Sequence, residues 1–214
     1  TKEDITEYIG KNCMLPFLFD AVARTGSDRH FRPDGFVWQL VKTSGDAYIH
    51  DAVKKGVDLP LPPEIERGVA VTSNPVGPSL RERRAAWNQP ADAAYALPTE
   101  IWRETVARRQ RCHELRRKIA AGEITQINDF ITWNLDIRRF AEDVLEKTDD
   151  PRLVRHFYDA LRGLTVLDPT CGSGAFLFAA LNILEPLYEA CIARMQEFHE
   201  ANGKLFKDEL AEIE

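Results

Sequence analysis

The sequence predicts a mostly α-helical chain with about one β-strand, and three observations carry that prediction. Apolar residues recur every three or four positions over residues 1–24, 99–163 and 175–196, the period of a helix with one buried face. One short, β-branched apolar run, Leu164-Thr165-Val166-Leu167-Asp168, has strand character. Residues 25–98 hold six of the 12 glycines and eight of the 12 prolines, which argues against long regular elements there.

Taken in order, residues 1–24 form the first helix, with Ile5, Tyr8, Ile9, Leu15 and Leu18 near helical spacing. Thr1 with Asp4 resembles a capping box, and Pro16 is expected to kink or break the helix. Residues 25–98 form an irregular insertion of short helices and turns with at most a hairpin, and Pro60-Leu61-Pro62-Pro63 cannot be helix interior. Residues 99–163 are helical. Thr99 is the candidate N-cap of the first helix there and Gly122 its stop, with Ile101, Thr105, Cys112, Leu115 and Ile119 inside. A second helix over 126–147 buries Ile127, Phe130, Ile131, Ile137, Ala141, Val144 and Leu145. A third opens at Asp150-Pro151, a cap followed by proline at the first helical position, and buries Val154, Phe157, Tyr158 and Leu161. Residues 164–214 hold the strand, a glycine loop and a long helix from Ala175, which Pro186 is expected to kink.

A chain of 214 residues is long enough to bury a core. No continuous apolar run approaches the roughly 20 residues of a membrane span, and the start lacks a signal pattern. A cytoplasmic protein without a membrane partner is expected. The absence of an initiating Met suggests that the chain begins inside a longer protein. Cys13, Cys112, Cys171 and Cys191 are scattered, so neither a disulfide framework nor a zinc site is indicated. His113 beside Cys112 has no companion at ligand spacing. The net charge of −6 places any main phosphate-contacting surface elsewhere.

The stretch Leu164–Phe176 carries the chemistry. It reads as a buried strand, a tight turn and a helix start. Gly172 and Gly174 allow a sharp turn and close approach of a ligand, and the helix start offers free backbone N–H groups. Asp168 can receive a ligand ammonium directly or through water. A small zwitterion bearing an α-amino and a carboxylate group suits this loop. The dinucleotide pattern G-x-G-x-x-G is not met, and a Walker loop would need a lysine.

Asp168-Pro169-Thr170-Cys171-Gly172-Ser173-Gly174-Ala175-Phe176 resembles motif I of amino-methylating DNA methyltransferases. The six fixed letters of D-P-x-C-G-S-G recur by chance roughly once in 10⁷ positions. The resemblance implies that Asp168, Pro169, Thr170, Cys171, Gly172, Ser173, Gly174 and Phe176 hold S-adenosylmethionine, and that the strand belongs to an incomplete Rossmann-like methyltransferase sheet. Thr1-Lys2-Glu3-Asp4-Ile5 looks like the second half of that family's motif X, so Thr1 either touches the cofactor or caps the helix, and both can hold. Cys171 is read as a small packing residue.

The order of the two motifs is similar to the large single-chain adenine methyltransferases of restriction-modification and phage-exclusion systems. What this implies is a parent protein that methylates adenine N6 in double-stranded DNA, with the rest of the same polypeptide supplying catalysis and target recognition. No catalytic residue is assigned in this chain, and the isolated chain is expected to be inactive. In that family an Asn-Pro-Pro-aromatic motif accepts the amine's hydrogens and stacks on the flipped base. Asn74-Pro75-Val76-Gly77 mimics it but lacks the second proline and the aromatic ring. Three alternatives stay open: an RNA or protein methyltransferase, a parent that also carries a nuclease, and a non-enzymatic helical interaction module.

Residues 78–118 are locally basic, with ten Lys/Arg against five Asp/Glu. Arg81, Arg83, Arg84, Arg108, Arg109, Arg111, Arg116 and Arg117 dominate, with Trp87 and Trp102 interleaved. They form either a patch that contacts the DNA backbone or a solvated helix face with intrahelical ion pairs.

Overall fold

A computed structural model describes residues 2–69 and 78–213. In chain order its helices are α1 (Glu3–Val22), α2 (Phe36–Thr43), α3 (Asp51–Lys54), α4 (Pro63–Val69), α5 (Leu80–Arg83), α6 (Trp102–Ala121), α7 (Ile127–Thr132), α8 (Ile137–Lys147), α9 (Pro151–Gly163), α10 (Ala175–Ala201) and α11 (Lys207–Ala211). No β-strand occurs among the described residues, and extended pairing is confined there to an isolated antiparallel bridge between Pro90 and Ile101. The mostly helical class fits. The strand over 164–168, and with it the incomplete Rossmann-like sheet, is corrected. The physical reason is that a strand exists only through a partner backbone. This segment has none among the described residues, and it leaves Leu167 88% exposed.

The chain divides into two compact units, Thr1–Tyr48 with Ile119–Glu214, and Ile49–Lys118. The first is a helical bundle in which α10 packs along α1, α8 and α9. The stripe on α10 is Ala179, Ala180, Ile183, Leu187, Cys191 and Met195, all buried. Gly10 marks the closest approach of α1 to it, since a Cβ there would lie 3.0 Å from the Ile183 side chain. Leu15, Leu18, Phe19 and Val22 complete the buried face of α1. Ile5, Tyr8 and Ile9, expected inside, are half exposed, while Thr6 is buried. Both α1 and α10 continue through their prolines, so packing offsets the missing hydrogen bond at Pro16 and Pro186. By length and composition α10 is also long and apolar enough to cross a membrane, with a mean hydropathy of 1.4.

Several boundaries differ from expectation. Thr99 has φ 70° and does not cap α6, which begins at Trp102. Gly122, with φ 70°, ends α6 as expected. The helix expected over 126–147 is two helices, α7 and α8, separated where Asn134 adopts φ 51°. At α9 the expectation holds, because the Asp150 carboxylate accepts from the Arg152 N–H at 3.1 Å and Pro151 is the first helical residue. The capping expectation for Thr1 lies outside the described residues.

Asp150 also accepts from His30 Nε2 at 2.8 Å and from the Arg29 guanidinium. Burial pushes its pKa up, but the hydrogen bonds from His30 and Arg29 outweigh this and hold the carboxyl below the ordinary carboxylate range. A depressed folded-state pKa gives stability that is present above the unfolded value and lost as pH falls. Asp150→Asn is therefore expected to cost roughly 2 kcal/mol at neutral pH. In urea titrations the gap from wild type should close as pH drops below about 4. A gap independent of pH would show that the charge contributes nothing.

The second unit has a core of Ile65, Trp87, Trp102 and Val106. Trp87 donates through Nε1 to the Ile65 carbonyl at 3.2 Å. Its ring lies so close to Gly68 that a Cβ there would meet it at 2.5 Å, which explains a glycine inside α4. The Pro62-Pro63 pair starts α4 rather than interrupting it.

Candidate cofactor site

The loop at 168–174 stands between α9 and α10. One Asp168 oxygen, Oδ1, accepts from the Thr170 N–H at 2.9 Å. The other, Oδ2, is buried and has no hydrogen-bond partner among the described residues. Gly172 and Gly174 have φ 50° and 78°, the left-handed region that favours glycine. Gly174 donates its N–H to the Cys171 carbonyl at 2.7 Å, and its own carbonyl accepts the Phe178 N–H at 2.9 Å. That is the opening bond of α10, so the N–H groups of Ala175, Phe176 and Leu177 precede any intrahelical partner. Gly174 is buried, and a Cβ on it would lie 3.4 Å from the Phe178 ring.

The first turns of α10 and of α1 together border a groove of about 370 Å³, lined by Glu3, Thr6, Glu7, Ser173, Ala175, Phe178, Ala179 and Asn182. Its size falls in the range of roughly 300–1,000 Å³ common to small-molecule sites. The start of the chain and the glycine loop, far apart in sequence, thus line one cavity. Glu7 lies 3.7 Å from the Arg138 guanidinium, which also pairs with Glu142 at 3.4 Å.

Of the residues expected to hold a cofactor, Ser173 lines the groove. Asp168, Pro169, Thr170, Cys171, Gly172 and Gly174 form the loop ahead of α10, and Phe176 is 36% exposed on its first turn. Cys171 is exposed, so the reading of it as a packing residue is corrected. Thr1 and the Asn74–Gly77 turn lie outside the described residues. Sequence reasoning missed Thr6, Phe178 and Asn182. The spacing Ala175, Phe178, Ala179, Asn182 places an amide at the end of one helical face. Among the described residues no cluster of three or more His, Cys, Asp or Glu side chains could hold a metal.

Several arginines of the basic region are held within their own unit. Arg108 binds Glu100 and the carbonyls of Val53, Lys55 and Tyr95. Arg109 donates to the Gly56 and Leu59 carbonyls, Arg116 pairs with Asp58, and Arg84 lies 4.2 Å over the Trp87 ring. The bonds of Arg108, Arg109 and Arg116 run from α6 to other segments of the unit rather than within one helix, so these three do not form the expected solvated face with intrahelical ion pairs.

Comparison of the chain with protein-family models, with curated proteins and with solved structures returns no match.

Proposed function

We propose that this chain supplies part of the S-adenosylmethionine site of a DNA adenine-N6 methyltransferase. The observation that supports it most is that Ser173 of the D-P-T-C-G-S-G loop, the start of α10 and the start of α1 border one groove. The buried, unpartnered Oδ2 of Asp168 fits a ligand that brings a hydrogen-bond donor. When bound, the cofactor supplies a methyl group activated on a sulfonium. The chain's part is binding. Asp168, in the loop beside the groove, would receive the amino group, the free N–H groups at the start of α10 would receive the carboxylate, and Ser173 and Asn182 offer polar groups on the groove wall. Transfer to adenine and recognition of double-stranded DNA are what the motif resemblance implies, with the adenine chemistry assigned to other sequence of the parent protein, and a cytoplasmic setting is the expectation from the scattered cysteines.

Calorimetric titration of S-adenosylmethionine and S-adenosylhomocysteine tests the reading. Asp168→Ala should weaken binding about 10- to 100-fold, the worth of a hydrogen bond to a charged group. Asp168→Asn, which keeps an acceptor but not the charge, should fall in between. Equal affinity in wild type and Asp168→Ala would remove Asp168 from the site.

A further inference from the structure

We propose that the second apolar face of α10 pairs with the same face of another copy of this chain, forming a two-fold dimer in which the two α10 helices run parallel. This goes beyond the cofactor reading and does not depend on it.

The helix α10 is apolar on two sides. Its buried stripe, with Ala180, Ile183, Leu187, Cys191 and Met195, packs along α1, α8 and α9. Leu181, Leu184 and Tyr188 form another stripe at i, i+3 and i+7. With Leu161 of α9 they line an apolar cleft of about 500 Å³, and Leu181 is 60% exposed. A helix apolar on both sides belongs to an interior, yet only 28% of the most apolar stretch of α10 is buried within the chain. The two banks of the cleft differ in charge. On α10 stand Glu185 and Glu189, both exposed, and among the described residues no lysine or arginine lines the cleft beside them. On α9, next to Leu161, stands Arg162, half-exposed over the Tyr158 ring at 5.5 Å. Tyr158 in turn accepts a hydrogen bond from the Tyr188 hydroxyl at 3.2 Å. Arg162 pairs with Glu212 at 3.0 Å, but both side chains are exposed, and such a pair holds weakly. A surface of this kind is complementary to itself. A two-fold axis along α10 lays one apolar stripe on the other and sets the acidic bank of each copy against the Arg162 bank of the other. Each charge contact then forms twice. An antiparallel arrangement opposes acid to acid, so the charges favour the parallel one.

The test is the oligomeric state of the whole chain in solution. Sedimentation equilibrium between about 1 and 100 µM covers the affinity of an interface of modest size. A monomer–dimer equilibrium is expected in that range. Leu181→Glu should weaken it about 30-fold or more, the loss typical of a central interface residue. The charges are tested by exchange. Glu185→Lys combined with Glu189→Lys, and separately Arg162→Glu, should each leave a monomer, whereas an equimolar mixture of the two variants should dimerise again. All four positions are exposed, so the variants should fold, and thermal unfolding checks that they do. A wild-type monomer at the highest concentration, a dimer untouched by Leu181→Glu, or a mixture that stays monomeric would overturn the proposal. So would a monomer that co-floats with phosphatidylcholine vesicles, which would give the face to a lipid surface.

Discussion

Phe140→Ala is expected to cost the helical bundle about 3–5 kcal/mol, a large part of the roughly 5–15 kcal/mol that holds a typical domain together. Phe140 is fully buried and sits at the hub of an aromatic cluster. It stacks on Phe130 at 4.4 Å and on Phe19 at 5.4 Å, and meets Tyr48 edge-on at 5.3 Å. Trp38 lies beyond at 6.5 Å. Truncation removes the transfer energy of the ring, opens a cavity and ends these aromatic pairings together. Rings from α1, α2, α7 and α8 meet here, so the loss should propagate through the bundle. Far-UV circular dichroism on heating should show the midpoint lowered by about 10 °C or more. Phe140→Leu refills part of the space and should cost roughly 1–2 kcal/mol. A loss below about 1 kcal/mol for the alanine variant would mean that the cluster is not the centre of the unit.

That cluster shows what local sequence discloses and what it withholds. Phe130, Phe157 and Tyr158 were legible as buried from their 3.6-residue spacing, and Asp150-Pro151 and Gly122 were legible as helix ends from their cap chemistry. The break between α7 and α8 was not, because Phe130, Leu135 and Ile137 are all buried and apolar patterning continues across it. Only the left-handed Asn134 marks the turn. On α1 the pattern offered two faces. Ile5 and Ile9 form the more apolar one, yet Thr6 and Gly10 face the bundle. A bulky residue at position 10 would collide with Ile183, so steric fit decides where hydrophobicity alone would choose otherwise. Leu164–Asp168 has strand composition, but pairing is a property of a neighbour and cannot be read within five residues.

The candidate site divides the same way. Gly172 and Gly174 stood out because glycines ahead of a helix start mark a sharp turn, which their positive φ bears out, and Ser173 stood out through the motif resemblance. Asn182 did not, since a polar residue within a long helix reads as solvent-facing until the opposite wall is known. The pairing of α1 with α10 supplies that wall. It also turns Glu3 and Glu7, ordinary exposed acids in sequence, into groove residues.

The second large effect is expected at Arg108, for which the sequence left open a DNA-backbone contact and a solvated helix face. In a basic helix with neighbouring tryptophans, Arg108 has the look of a phosphate contact. Its side chain is instead only 11% exposed and grips Glu100, itself 16% exposed, through two parallel bonds of 2.9 Å. The remaining N–H groups donate to the carbonyls of Lys55 and Tyr95, each at 2.7 Å, and of Val53 at 3.3 Å. Glu100 is completed by the Leu97 N–H and the Thr105 hydroxyl, and its pKa is lowered, chiefly by the hydrogen bond from Arg108. One guanidinium thus ties α6 to the backbone of residues 53–55 and of Tyr95 and to the Glu100 side chain. Arg108→Ala should cost about 3 kcal/mol or more, because it leaves a nearly buried carboxylate and three carbonyls without their donor. Arg108→Lys should recover little, since an ammonium cannot reproduce the bidentate fork. Hydrogen exchange over α6 and tryptophan emission from Trp87 and Trp102 should both report the loosening before the bundle unfolds. An Arg108→Ala protein with unchanged exchange over α6 would return the residue to the surface, and with it the possibility of a DNA contact.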